Sequence, residues 1–79
     1  MSRQVAVEGL RAGMVVLLPG DEYRPAEQVQ LTSQAWGTPT GYRSGPRIAV
    51  HAYGTVVGST GIEGARHLQW AGGTTVEVL

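Results

Sequence analysis

A 79-residue chain with six arginines balanced by six acidic residues, and with no cysteine, makes a single domain without disulfides or thiolate metal sites. Its formal neutrality lacks the excess of basic charge with which sequence-independent nucleic-acid binders displace counterions from phosphates. A domain this small buries only about 60 to 65% of the surface its unfolded chain exposes, so self-association or docking on a protein partner is the expected source of further stability.

In chain order, Gln4 to Glu8 alternates, with Val5 and Val7 on one face, and predicts a short first strand; Gly9 to Gly13 (GLRAG) reads as a turn. Met14 to Leu18 is continuously apolar and stops at Pro19-Gly20-Asp21, the pattern of a strand covered on both faces or deep in a barrel. Glu22 to Ala26, carrying Tyr23 and Pro25, crosses as a loop. Gln28 to Trp36 is the clearest alternating strand, with Val29, Leu31, Ser33 and Ala35 on one face and Gln28, Gln30, Thr32, Gln34 and Trp36 on the other. Gly37 to Pro46 (GTPTGYRSGP) holds three glycines and two prolines in ten residues and is expected to be an irregular loop. Arg47 to Tyr53 turns Ile48, Val50 and Ala52 inward and Arg47, Ala49, His51 and Tyr53 outward, with Gly54 expected to bend or bulge the strand before Thr55, Val56 and Val57. Gly58 to Gly64 (GSTGIEG) predicts a second flexible loop. Finally, RHLQWA and TTVEVL alternate on either side of Gly72-Gly73, which reads as a hairpin with Leu68 and Trp70 on one face and Val76 and Val78 on one face. No stretch sustains a 3.6-residue period, so no helix is expected.

Five or six short, mostly antiparallel strands over residues 1–79 imply an all-β single domain, a small barrel or sandwich. The closing W-x-G-G segment, Trp70 to Gly73, resembles the last hairpin of SH3-like and Tudor-like barrels. That resemblance implies a barrel of this kind with a C-terminal hairpin.

Little in the chain points to catalysis. Without cysteine the candidate nucleophiles are Ser2, Ser33, Ser44 and Ser59, none within a GxSxG elbow; the bases are His51 and His67, and the sole aspartate, Asp21, sits in a turn where capping is its ordinary task. A non-enzymatic protein is expected, with no catalytic residue and no cofactor. His51 and His67 can meet if their strands pair, and Glu63 or Glu77 could then in principle complete a zinc site; two imidazoles alone leave it half built, so no metal is expected. GSTGIEG has neither the lysine of a phosphate loop nor a helix after it. The absence of lysine also excludes a lipoyl or biotinyl carrier.

Recognition is the stronger expectation. Trp36 falls on the outward set of its strand, Tyr42 and Arg43 in the long loop, and Arg47, His51 and Tyr53 on the outward face of the next strand; tryptophan, tyrosine and arginine dominate interface hot spots because they bury large areas while keeping a polar handle, the alternative being that Trp36 closes the barrel end and the tyrosines cover its rim. They form the expected protein-binding surface. The same residues could stack single-stranded bases, although nothing in the net charge favours it. Lysine, asparagine and phenylalanine, all encoded by AT-rich codons, are missing, which suggests a GC-rich genome such as that of an actinobacterium or one of its phages. The N-terminal MSRQVAVEG lacks the apolar core of a signal peptide, and the longest apolar run falls far short of the roughly 20 residues of a membrane-spanning helix. A cytoplasmic or virion location without membrane association is therefore expected. The leading expectation is a homo-oligomeric accessory subunit of a phage-like assembly, of capsid-decoration or connector type. The alternatives are a small regulator that binds a host enzyme or transcription component, and a nucleic-acid-binding barrel.

Overall fold

Period-two patterning curls one antiparallel sheet around a line of valines and leucines. The computed structural model describes residues 2–79. Seven strands follow in order: β1 (Arg3–Ala6), β2 (Val15–Leu18), β3 (Glu27–Leu31), β4 (Trp36–Pro39), β5 (Ile48–Val56), β6 (Ala65–Ala71) and β7 (Thr75–Val78). Two short 3₁₀ turns, Val7–Gly9 and Gly61–Gly64, complete the regular structure, and no α-helix occurs among the described residues. The sheet runs β1-β7-β2-β3-β5-β4, with β6 on the other edge of β5. Val7, Leu10, Val16, Val29, Leu31, Val50, Ala52, Leu68 and Val78 form the core.

Several expectations change. Gln28 to Trp36 is not one strand: it breaks at residues 32–35 into β3 and β4, which pair end to end along the same edge of β5. Ser33 makes the break tolerable, because its hydroxyl accepts the Tyr53 N–H at 2.9 Å where a strand carbonyl would otherwise stand. Part of the expected Gly37–Pro46 loop is strand, since Pro39 pairs opposite Ile48 at the end of β4. Thr40 N–H bonds the Arg47 carbonyl, which puts the even residues of β4 toward β5 and Pro39 on the outer edge, where its missing N–H costs nothing. Leu10, expected in a turn, is fully buried and its carbonyl accepts the Ala35 N–H. Ile48, expected inward, is 46% exposed because β5 runs past the end of the core there.

The expected C-terminal hairpin is absent. Gly72-Gly73 does turn the chain, with Gly73 at φ +85°, but β6 pairs β5 whereas β7 pairs β1 and β2. The turn is a corner joining the two ends of the curled sheet. Gly72 N–H continues the β5–β6 ladder to the Ile48 carbonyl, and Gly73 N–H donates to the Glu8 carboxylate at 2.7 Å. With its amides committed in those two directions, the chain leaves β6 instead of folding back along it.

Gly54 is not a bulge either. It lies in register between Leu31 and Arg66, and its role is close approach: a Cβ there would stand 2.5 Å from Val29 Cγ1 and 2.9 Å from the Gln30 carbonyl oxygen. Gly54→Ala should therefore lose about 1–3 kcal/mol in urea unfolding. Gly9→Ala, whose added methyl would find its nearest neighbour at 3.9 Å, should change little; equal stability of the two variants would contradict this account.

Two sets of polar contacts fix local geometry around the thin core, one within a turn and one between strands. Asp21 accepts the N–H groups of Tyr23 and Arg24, each at 2.8 Å, and these bonds lower its pKa, the capping role its turn implies. Arg66 on β6 reaches across β5 to the Glu27 carboxylate on β3 through Nε at 3.3 Å and Nη2 at 3.0 Å. The Arg66 hydrogen bond holds the Glu27 pKa below its ordinary value, and Glu27 in turn raises that of Arg66. A depressed carboxyl pKa stabilises the fold above the unfolded-state titration and stops doing so as the pH falls through the folded-state one. The stability gap between wild type and Glu27→Gln, followed by urea unfolding, should hold near neutrality and close on the acid side of the ordinary glutamate range; a gap widening with acid would contradict the pairing.

Candidate functional site

The β4–β5–β6 register gathers four aromatic side chains on one face. Trp36 stands opposite His51, and Tyr53 opposite His67, while residues two apart on a strand share a face. Trp36 and Tyr53 remain 36% and 51% exposed, a large apolar area left toward solvent.

His51 Nδ1 lies 3.0 Å from His67 Nε2, with ring centroids 5.2 Å apart and planes within 10°. Once the atoms' distances from their ring centres are allowed for, that separation places the rings side by side in nearly one plane, not face over face. Trp36 lies nearly parallel to both, 16° from His51 and 7° from His67, with centroids at 5.3 and 6.2 Å. Tyr53 closes the group at a tilt, 5.1 Å from Trp36 and 5.2 Å from His67. Such offset and tilted arrangements suit the ring quadrupoles.

A third polar group joins the imidazoles, since Thr38 Oγ1 lies 2.8 Å from His51 Nε2. Two proton arrangements satisfy this relay. In one, Thr38 donates to His51 and His51 donates to His67; in the other, both bonds run the opposite way. Hydroxyl, imidazole, imidazole is also the order of a nucleophile, its base and an orienting group. Here it lies on an open sheet face, and the two hydrogen bonds fix the orientation of both rings. Among the described residues no group of three histidine, aspartate or glutamate side chains is placed to hold a metal.

Of the residues expected from sequence, Trp36, His51 and Tyr53 come together. Tyr42 lies apart at 65% exposure, lining a hollow with Thr40, Pro46, Ile48 and Trp70. Arg43 and Arg47 are exposed beside it, outside the aromatic cluster. His67 and Thr38 are the additions. The sequence already paired the histidines conditionally on strand pairing; Thr38 was hidden by the loop reading of Gly37 to Pro46. A separate open groove of about 560 Å³ runs between Trp70 of β6 and Leu17, Leu18 and Val76 of β2 and β7.

Protonating both imidazoles would place a hydrogen on each facing nitrogen and break their contact. With both rings neutral, long-range ¹H–¹⁵N spectra should show one protonated and one bare nitrogen in each ring and a hydrogen bond between His51 Nδ1 and His67 Nε2, and absence of that bond would remove the relay.

Comparison with family models, with curated proteins and with solved structures yields no match to this chain.

Proposed function

We propose that this chain is a non-enzymatic binding module whose β4–β5–β6 face docks on a protein surface. The observation that carries this reading is the exposed cluster of Trp36, His51, Tyr53 and His67, its rings held in place by mutual packing and by the Thr38–His51–His67 hydrogen bonds. Pre-ordered rings lose little rotamer freedom on binding, which is why rigid aromatics make effective anchors. Arg43, Arg47 and Tyr42, exposed in the neighbouring loop, fit the polar rim of such a contact.

Within that reading we favour a subunit of a symmetric, phage-like assembly. The small unstapled core and the GC-rich composition support it. The likeness to SH3-like or Tudor-like barrels rests on the curled antiparallel sheet alone, since there are seven strands in place of the expected five or six and no closing hairpin.

The test compares wild type with a Trp36→Ala/Tyr53→Ala double variant. The wild-type chain should retain a protein partner or coat component in a pull-down, and the variant should lose it by about tenfold or more at unchanged melting temperature. Retention unaffected by the double substitution would overturn the assignment of this face. A titration with single-stranded DNA and RNA at low salt should show no binding, and tight stacking of bases would replace this function with nucleic-acid recognition.

A further inference from the structure

Among the described residues three strand edges of the sheet have no partner, and they are not equally protected. β1 is only four residues long and includes the charge of Arg3. The outer edge of β4 ends on Pro39, which offers no N–H. β6 is seven residues long, ARHLQWA, without proline, and its one formal charge, Arg66, is engaged by Glu27. Short length, edge charge and proline are the usual means of blocking edge-to-edge pairing, and β6 has none of them.

The ladder also says which groups face outward. Gly72 N–H bonds the Ile48 carbonyl, so alternation commits the even residues of β6 to β5 and leaves the amides of His67 and Gln69 pointing away from the sheet. Ala65 and Ala71 share that orientation, but the Ala65 carbonyl is taken by Arg66 Nη1 and the Ala71 carbonyl by Thr74 N–H.

We infer that β6 pairs antiparallel with β6 of a second copy of this chain, about a two-fold axis at Leu68. The occupant is argued from self-complementarity. That register sets His67 against Gln69 of the second copy, so each such pair exchanges N–H···O bonds in both directions, and Ala65 against Ala71, with no like charges opposed. On the opposite face it sets Arg66 against Trp70, again without opposing like charges. A two-fold axis normal to the sheet keeps both aromatic clusters on one side, so the interaction surface proposed above doubles in extent. The inference deepens that reading by naming one partner and the element that meets it.

Light scattering of the full chain over rising concentration should show a mass approaching twice that of one chain. Gln69→Pro removes an outward N–H that bonds nothing within the chain, and should raise the dissociation constant about tenfold or more while the far-ultraviolet spectrum stays the same. Should that variant fail to fold, Gln69→Lys, which adds an edge charge without touching the backbone, carries the same expectation. Register is read by an Ala65→Cys/Ala71→Cys double variant in a chain without native cysteine. The two positions are roughly 20 Å apart along one strand, but about 5.5 Å across the proposed interface, so oxidation should yield a covalent dimer. A monomer at every concentration would overturn the inference, as would a dimer that neither weakens with Gln69→Pro or Gln69→Lys nor cross-links. Trp36→Ala/Tyr53→Ala should leave the dimer intact. A dimer lost in that variant alone would move the contact to the aromatic face, sinking the edge pairing while sparing the function proposed above.

Discussion

The structure depends on the two-sided hydrogen bonding of β5. This nine-residue strand turns the amides of its odd residues toward β3, β4 and Ser33 between them, and those of its even residues toward β6, so it is held along both edges. The pleat that sends odd and even amides to opposite edges also sends odd and even side chains to opposite faces. Val50, Ala52 and Gly54 thereby face the core, and His51 and Tyr53 face outward among Trp36, Thr38 and His67. The aromatic cluster is a geometric consequence of the strand that organises the core.

A sheet this small closes with polar contacts where a larger domain would use more apolar area. Glu8 reaches Gly73 across 65 residues of sequence, Arg66 reaches Glu27 across 39, and Ser33 fills the gap between β3 and β4. The Arg66–Glu27 contact joins β6 to β3, which the backbone ladder does not pair, and the other two hold the chain where strands end. Gly54 contributes by absence, since the strands pack so closely there that no side chain fits. The curl of the sheet therefore rests on a few specific positions, and the gap left between Trp70 and the β2–β7 end stays open as a groove.

The site follows the same economy. Four rings occupy neighbouring positions on three strands, and the Thr38–His51–His67 chain satisfies ring nitrogens that would otherwise turn to water. This makes a rigid, half-exposed surface whose chemistry suits recognition. It adjoins a seven-residue sheet edge without proline or a free charge, so face and edge lie on the same strand: His67 supplies a ring to the cluster and an outward amide to the edge.

The sequence by itself determined the all-β class, the inward set Val29, Leu31, Val50, Ala52, Leu68 and Val78, and the outward exposure of Trp36, His51 and Tyr53. These depend on period-two alternation, which is local and can be read along a single strand. Tertiary structure alone decided that Gly72-Gly73 turns a corner and closes no hairpin, that Gln28 to Trp36 divides at Ser33, that Gly37 and Pro39 belong to an edge strand, and that Leu10 enters the core. Each of these depends on which strand supplies the hydrogen-bond partner, and a glycine pair or a proline allows several partners equally. The meeting of the histidines shows both halves at once: spacing made it possible, and the pairing of β5 with β6 brought Nδ1 of one ring to Nε2 of the other.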